Sequence, residues 1–512
     1  MAGLRRHYMC RSLRAGGLQR AASTQILSFR SFIASFGVAL IRAAGIVPAA
    51  FFEFIKMEEN VSTKLSVKKY AAIIAILIVL TMTVLDVTLV NVALPVLATK
   101  FGVSDSYAVW IVTIYQLLIT MLLLPVSSIG DRYSYRRCFL TGVTIFTLSS
   151  ALCAASQSFS MIILARALQG VGAACVMGVN IALTRLIYLR NVLGRGLALN
   201  AMVIAIATAA GPTIAGALLS VASWHWLFLI NVPLGFLAFF IGKRLLPHNP
   251  EKKEAVKGFD WISASENIVV FGLIFLALGN FARSGDVAGN SAMIVLGLVV
   301  GFFYIKRQLK QPQPMLPVDL FKIRLYTLSI STAVCSFIAQ NAAMISLPFL
   351  FLNNYGFSEI TTGLLMTPWP LATMIVSPLA ARFVERHNPG ITAACGMAVY
   401  AAGILLLLLA PQSGISEWNI AWRMAVCGIG FGMFQTPNNI VMVMATPVAR
   451  TGSAGGMQST ARLVGQTFGA TMVTIVFGLT SAVLTSVHYC LYIAIACALV
   501  AGIFSISRAR KL

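Results

Sequence analysis

The chain has 512 residues, of which 58% are hydrophobic and only 10% are charged, and its formal net charge is +23. A soluble domain carries about 25% charged residues, so this composition excludes a water-soluble globular protein. It also excludes a collagen-like or disordered chain, because apolar blocks dominate and the 40 Gly follow no period.

Residues 1–56 form an N-terminal extension that does not fit the pattern of the rest of the chain. They carry seven scattered Arg and an apolar run from Phe32 to Phe52 that Arg42 interrupts. An Arg-rich, acid-poor segment is typical of a transit peptide, whereas a fifteenth span would bury Arg42 at a cost of about 2.5–3.5 kcal/mol. We favour a third interpretation, in which Met57 is the true start, and we exclude 1–56 from the predicted fold.

Apolar segments follow, each of about 20 residues, which is the length that a helix needs to cross a bilayer. We expect helices, because a lipid-exposed backbone must satisfy its own hydrogen bonds. We predict spans 1 to 14 at 71–94, 107–128, 138–156, 159–184, 197–220, 225–242, 262–281, 288–305, 326–352, 361–381, 391–410, 419–445, 463–484 and 489–506.

Lys and Arg are concentrated in every second segment between the spans. If the segment before span 1 is cytoplasmic, the outer segments hold only Lys100, Arg283 and Arg423, while every inner segment holds at least one basic residue. The positive-inside rule then places both ends of the body in the cytoplasm. The charge bias shows only that the number of spans is even. Twelve spans would fit if the two predicted helices in 262–305 lay outside the membrane, but both are too apolar for that. Because topology accounts for the basic charge, we expect no nucleic-acid partner.

The second half of the chain repeats features of the first. The run 166–172 in span 4 resembles 423–430 in span 12, and 211–216 in span 5 resembles 465–470 in span 13. Each correspondence skips eight spans, which favours two six-helix halves with two inserted helices, a transporter architecture. The predicted domains are the extension 1–56, a first bundle 57–242, an insertion with its flanking loops 243–325, and a second bundle 326–512.

Enzyme and cofactor motifs are missing from the sequence. It contains no phosphate-binding loop, no paired catalytic carboxylates, and no metal-ligand spacing among its nine Cys and five His. We therefore expect no cofactor and no metal, and energy for transport has to come from a gradient or from a partner outside this chain.

Two ionisable residues lie deep within predicted spans, Asp86 in span 1 and Arg166 in span 4. A charged side chain in the membrane is expensive and indicates function by default. Proton coupling needs a titratable group in a partly dry cavity, so we expect Asp86 to face a cavity between the halves. Arg166 needs a carboxylate or carbonyl partner, which Asp86 or a bound substrate can supply. The alternative for both residues is a purely structural ion pair.

Two further segments suit a moving part, although each has a simpler explanation. Gly211 and Pro212 lie in the small-sided span 5, where close packing and a kink favour either a hinge or plain helix packing. Asp131 and Arg132 lie in the inner loop after span 2. Salt bridges from this loop could lock the cytoplasmic ends together, or the charges could reflect topology alone.

Polar amides and aromatic side chains on several helix faces favour a pocket for amphipathic cations. Interfacial aromatic residues and interhelical amide bonds are the alternative reading. We expect Arg462 to snorkel from the start of span 13. The cavity candidates are Asn91, Tyr115, Gln116, Gln169, Phe337, Gln340, Asn341, Trp369, Gln435, Asn438 and Asn439.

Together these segments resemble the major facilitator superfamily, and within it the 14-span drug:proton antiporters of the EmrB/QacA type, over nearly all of 70–507. The matching segments are Leu85–Pro95, Pro125–Arg137, Arg166–Gly172, Gly211–Gly216 and Trp224–Gly235.

The resemblance implies roles for individual residues. It assigns proton coupling to Asp86 and Arg166, the cytoplasmic gate to Asp131 and Arg132, and the antiport hinge to Gly211 and Pro212. The sequence departs from the family pattern at four positions, and these departures weaken the gate and hinge assignments but not the fold. The departing residues are Ser127, Ser134, Tyr135 and Ala215.

We therefore expect an all-α polytopic membrane protein with the major facilitator fold, located in the bacterial inner (plasma) membrane. Its partners are the lipid bilayer, protons and a small amphipathic substrate, predicted to be cationic, that it exports by alternating access. A periplasmic or outer-membrane adaptor cannot be inferred from the sequence. The alternatives are a metabolite exporter or symporter of the same fold, or a multi-span receptor or membrane enzyme. The enzyme would need converging catalytic groups, and only Asp86 and Arg166 are available.

Overall fold

The computed structural model describes residues 67–188, 193–249, 259–284, 286–311, 314–411, 414–446, 451–480 and 482–509. The predicted N-terminal extension 1–56 lies outside these ranges. The compact unit that carries the fold spans Ala72–Leu512. Its described residues are almost entirely helical, as predicted.

The helices follow the predicted spans in order, and we label them α1 to α14. They are α1 Val67–Phe101, α2 Asp105–Arg132, α3 Tyr135–Ala154, α4 Phe159–Ile187, α5 Leu193–Val221, α6 Trp226–Leu229 continued by Asn231–Leu245, α7 Trp261–Ser284, α8 Val287–Gln308, α9 Arg324–Phe349, α10 Glu359–Met366 continued by Pro368–Val384, α11 Pro389–Leu408, α12 Glu417–Met444, α13 Thr451–Leu479 and α14 Val483–Ala509.

Thirteen helices in the described part of the chain are long and apolar enough to cross a membrane. The protein is therefore a multi-pass membrane protein. The helix outside this set is α12, which has 28 residues but carries Arg423, Gln435 and Asn438 along its length. The total of fourteen spans stays a prediction for that reason.

Short polar side chains begin several of the helices. Ser104, Ser134, Ser158 and Ser416 each accept a hydrogen bond from the backbone N–H three residues later. Such an N-cap is worth about 1 kcal/mol, because it satisfies a donor that has no partner inside the helix. Ser134, one of the departures from the family pattern, thus has a local role as the cap of α3.

The start of α13 differs from the prediction. The helix begins at Thr451, twelve residues before the predicted start of span 13. Residues 451–462 are polar, yet they continue the same helix. Arg462 therefore lies three turns from the first residue of α13, and its snorkelling from the start of span 13 stays a prediction.

Close glycine contacts recur in the two halves, α1–α6 and α9–α14. Gly172 of α4 lies against α3, where an added Cβ would come within 2.5 Å of the backbone nitrogen of Phe146. Gly430 of α12 lies in the same way against the backbone of Tyr400 in α11. Small residues at both crossings let the helix backbones approach closely. The repeat inferred between spans 4 and 12 is therefore visible in the packing.

Two hydroxyl contacts join the halves. Thr120 of α2 and Thr467 of α13 have their oxygens 3.0 Å apart, and Thr213 of α5 and Thr367 of α10 have theirs 2.6 Å apart. An eight-span shift relates α2 to α10 and α5 to α13, so the repeat relates the two contacts as well. These four helices form the seam between the halves, where transporters built from parallel repeats place their substrate site.

The inserted helices α7 and α8 are tied together at one end by Asp260. This carboxylate accepts hydrogen bonds from the Ser263 backbone N–H at 3.0 Å and from Gln311 Nε2 at 2.5 Å. Burial alone would raise the pKa of Asp260. These hydrogen bonds and the charge of Arg307 together outweigh that effect, so the pKa lies below the ordinary value. The charged carboxylate therefore helps to hold the start of α7 against the end of α8.

Candidate functional site

Asp86 of α1 is fully buried, and hydrogen-bond donors engage both of its carboxylate oxygens. Its Oδ2 lies 2.5 Å from Arg166 Nη1. Its Oδ1 accepts hydrogen bonds from Gln169 Nε2 at 2.8 Å and from Asn231 Nδ2 at 3.3 Å. A buried carboxylate is tolerated only with such partners, because an unpaired charge loses its hydration without compensation.

Arg166 of α4 is also fully buried and has contacts of three kinds. Besides its ion pair with Asp86, its Nε donates to the carbonyl oxygen of Ile111 at 3.0 Å and its Nη1 donates to Gln169 Oε1 at 2.6 Å. The guanidinium carbon lies 4.2 Å from the centre of the Tyr115 ring. A cation over an aromatic face gains further electrostatic stabilisation in a dry environment.

The result is a charge-neutral network confined to the first half. Asp86 lies in α1, Arg166 and Gln169 lie in α4, and Asn231 lies in α6, while Gln169 Nε2 also donates to Ser150 Oγ of α3 at 2.9 Å. The ion pair considered for Asp86 and Arg166 is thus present. The opening expected beside Asp86 is not, because donors cover both carboxylate oxygens and the side chain has no exposed surface. Access to the carboxylate requires the network to rearrange.

Asn231 and Ser150 belong to this network, but the sequence analysis did not select them. Asn231 lies in the matching segment Trp224–Gly235, so a polar residue at the start of an apolar helix was the available signal. Ser150 is one of several hydroxyl residues in α3, and nothing in the sequence distinguishes it.

The predicted gate is held mainly by neutral groups. In the described part of the chain, Asp131 accepts a hydrogen bond from the Tyr135 hydroxyl at 2.6 Å and forms no salt bridge. A salt-bridge lock at this carboxylate stays a prediction. The guanidinium carbon of Arg132 lies 5.7 Å from the centre of the Phe259 ring. Asn249, which the sequence analysis missed, accepts from Tyr135 N at 2.9 Å and donates to the Gly130 carbonyl at 3.1 Å. Tyr135 replaces the usual Arg of the family and supplies the donor to Asp131.

The predicted hinge residues pack tightly between the two halves. Gly211 lies against the Thr88 side chain of α1, and the carbonyl of Pro212 lies against Gly363 of α10. One turn later, a Cβ on Gly216 would come within 2.5 Å of the carbonyl oxygen of Glu359. The helix α5 continues through Pro212. A hinge at this point stays a prediction.

Two of the cavity candidates meet at the seam. Asn341 Nδ2 of α9 lies 3.3 Å from Gln116 Oε1 of α2 and donates to the carbonyl oxygen of Gln466 in α13 at 2.6 Å. Gln116 is 2% exposed, and its Nε2 has no hydrogen-bond partner among the described residues. The seam therefore contains an amide with an unused donor.

The remaining cavity candidates are distributed over several environments. Tyr115 and Gln169 belong to the Asp86 network. Asn91 is buried with its Oδ1 unpartnered in the described structure. Phe337 and Trp369 are buried in an aromatic cluster of the second half. Gln340, Gln435 and Asn439 are half-buried, whereas Asn438 is buried.

A second buried arginine occupies the other half. Arg508 of α14 has no exposed surface and donates to Asn438 Oδ1 at 2.5 Å, to Ser329 Oγ at 2.9 Å and to Ser505 Oγ at 3.4 Å. The sequence analysis did not select Arg508, which follows the predicted span 14. Two of its partners, Ser329 and Asn438, lie far away in sequence, which explains why this cluster was missed.

No metal-binding cluster is seen in the described ranges. They contain no group of three or more His, Cys, Asp or Glu side chains that could hold an ion.

Comparison with known proteins identifies the family. The family model described as Major Facilitator Superfamily matches residues 76–470 and 329–511. The chain is 48% identical over 408 residues to the uncharacterized transporter YebQ of Escherichia coli, covering 80% of this chain and 89% of that protein. It is 29% identical over 416 residues to the multidrug efflux pump LfrA of Mycolicibacterium smegmatis, covering 81% and 82%.

The fold matches a solved structure as well. A POT family transporter in complex with a thioalcohol conjugated peptide superposes with a TM-score of 0.66 at 15% identity, covering 85% of this chain and 96% of that one. This similarity extends to the fold alone. Together with the family match and the relatives, it identifies a transporter rather than an enzyme, as expected from the drug:proton antiporter motifs. The chain therefore belongs to the major facilitator superfamily.

Proposed function

We propose that this transporter exports small amphipathic compounds across the bacterial inner membrane in exchange for protons, by alternating access. Similarity to the multidrug efflux pump LfrA supports export of such compounds. The distribution of Lys and Arg between the spans supports cytoplasmic placement of both ends of the helical body.

The buried Asp86–Arg166 pair is the observation on which this proposal mainly rests. Asp86 is a titratable group at membrane depth, and its partners lie on α4 and α6. A proton on Asp86 would cancel its charge and weaken the hydrogen bonds from Arg166, Gln169 and Asn231. Protonation would thereby loosen α1 from α4 and α6, which turns proton binding into a change of helix packing.

The energy available from one proton is adequate for uphill export. One elementary charge that crosses 100 mV releases about 2.3 kcal/mol, which corresponds to roughly a fiftyfold concentration ratio. A pH gradient adds to this. No nucleotide site is needed to drive transport.

The test uses purified protein in vesicles with an imposed pH gradient and a panel of amphipathic dyes. We expect the protein to move at least one dye against its gradient, and we expect Asp86→Asn to abolish the pH-driven component while it keeps exchange at equal pH. Glu266→Gln is the matched control, because Glu266 is a carboxylate near the start of α7 that pairs with Arg307 at 3.6 Å. Undiminished pH-driven transport in Asp86→Asn would rule out the coupling role of this residue.

A further inference from the structure

Arg462 lies far inside a helix that borders the seam between the halves. It follows Thr451, the first residue of α13, by eleven positions, which corresponds to about 16 Å along the helix axis. The guanidinium is half-buried there, so its charge needs either water or a bound counter-charge.

The neighbours of Arg462 in α13 show which way this face is directed. Thr467 bonds to α2, and Gly469 packs against α9. The ring of Phe468 meets that of Phe275 in α7 edge-on, with ring centres 4.6 Å apart. Since successive helical residues are 100° apart, Arg462 and Gln466 occupy the face between the α2 and α9 contacts. That face is directed into the seam, away from the inserted helix α7.

Arg462 has no protein partner there. Its side chain is half-buried and donates to no acceptor among the residues that the structure describes, and its buried Nε has no hydrogen bond. The other two deep arginines, Arg166 and Arg508, both bind protein acceptors. A guanidinium has five N–H donors. When it faces an interface without protein acceptors, those donors are available to bind an anion.

The acidic residues leave this positive charge uncompensated. Asp86 is engaged by Arg166, and Glu266 pairs with Arg307. The other acidic residues in the described ranges lie at helix ends or in connecting segments. Among the described residues, a cationic substrate would therefore find no free carboxylate beside Arg462, whereas an anion would find a free arginine.

A second donor lies at the same seam. Gln116 Nε2 is buried and unpartnered, while its Oε1 is bonded by Asn341, which in turn donates to the Gln466 carbonyl one turn from Arg462. Gln116 and Arg462 lie on opposite sides of the Thr120–Thr467 contact, so these two unused donors suit a ligand that carries acceptor oxygens at more than one place. A planar guanidinium binds a carboxylate through two parallel hydrogen bonds, so a carboxylate is the best match.

We propose that Arg462 anchors a carboxylate of the transported compound at the seam between the halves, with Gln116 as a second donor. The substrate class is thus an amphipathic organic anion rather than the cation predicted by analogy with drug exporters. This proposal rests on the proposed transport function but not on proton coupling.

The test measures thermal unfolding of the purified protein with three ligands that share one apolar body: para-butylbenzoate, its methyl ester and para-butylbenzylamine. We expect the acid alone to raise the melting temperature of the wild type, because a ligand that binds the folded state stabilises it. Arg462→Gln should weaken the apparent affinity for the acid by about tenfold or more, and Arg462→Lys by less, since lysine keeps the charge but loses the two-pronged geometry.

The matched control is Arg423→Gln, which removes another half-buried arginine whose Nη1 donates to the Leu406 carbonyl at 2.6 Å. It should leave the shift caused by the acid unchanged. The proposal is overturned if the acid causes no shift, if the amine shifts the wild type as much as the acid, or if Arg462→Gln keeps the full shift. Because no proton gradient is present, failure here is distinct from failure of coupling at Asp86.

Discussion

Each half of the protein buries one arginine completely, and the two halves stabilise it by different means. In the first half Arg166 meets the carboxylate of Asp86 at 2.5 Å. In the second half, the acceptors that Arg508 meets among the described residues are all neutral: the amide of Asn438 and the hydroxyls of Ser329 and Ser505. The first cluster is neutral overall, whereas the second keeps a net positive charge.

This difference assigns the titratable part to one half. Amides and hydroxyls do not change charge near neutral pH, and arginine stays protonated, so the Arg508 cluster has one charge state. The Asp86 cluster has two, because its carboxylate can bind a proton. Two halves with the same helix arrangement can therefore differ in chemistry: only the cluster of the first half can change its charge by binding a proton.

The largest expected effect concerns the ion pair of the first half. Asp86→Asn or Arg166→Gln should each destabilise the protein by about 3–5 kcal/mol, because the remaining partner is left buried and uncompensated. The double variant Asp86→Asn with Arg166→Gln should recover most of that loss, since no buried charge remains. Thermal unfolding in detergent measures all three. Equal instability of the double and single variants would contradict the importance of charge compensation.

A smaller effect is expected at the second arginine. Arg508→Gln leaves no charge unpaired and deprives only neutral acceptors of a donor, so the expected cost is about 1–3 kcal/mol. The pH profile of transport should stay that of the wild type, because nothing titratable is removed. A profile displaced as far as that of Asp86→Asn would place a proton site in the second half as well.

An effect of similar size tests the helix crossings that the halves share. Gly172→Ala should destabilise by about 1–3 kcal/mol, because the new Cβ would crowd the Phe146 backbone, and Gly430→Ala should do the same against Tyr400. The control is Gly455→Ala, where nothing lies within 4 Å of the added Cβ. There the higher helix propensity of alanine should stabilise by up to about 1 kcal/mol. A similar loss at Gly455 would show that close packing is not the cause.

Much of the fold could be predicted from the sequence because the bilayer imposes a length and a polarity on every span. The order of the helices and the relation between α4 and α12 follow from that pattern and are seen in the structure. The start of α13 was missed, because residues 451–462 are polar while they remain helical. Hydropathy reports where a helix is apolar, and the helix can continue beyond that region.

The site was only partly predictable. The deep positions of Asp86 and Arg166 stand out in sequence, since charges are rare in apolar segments. Their direct contact could not be derived, because they are 80 positions apart and several partners were available. The contacts of Arg508 and the surroundings of Arg462 were not predicted, because a basic residue near the end of a span looks like an ordinary topological charge until its neighbours are known.

The sequence by itself determined that this is a helical membrane transporter with two related halves, since composition, span length and charge bias constrain any chain in a bilayer. Only the tertiary structure decided which charges are neutralised, because that depends on helices that meet across 80 to 179 positions of sequence. It enclosed Asp86 with three donors and left Arg462 without an acceptor among the described residues, and no local pattern distinguishes these two outcomes.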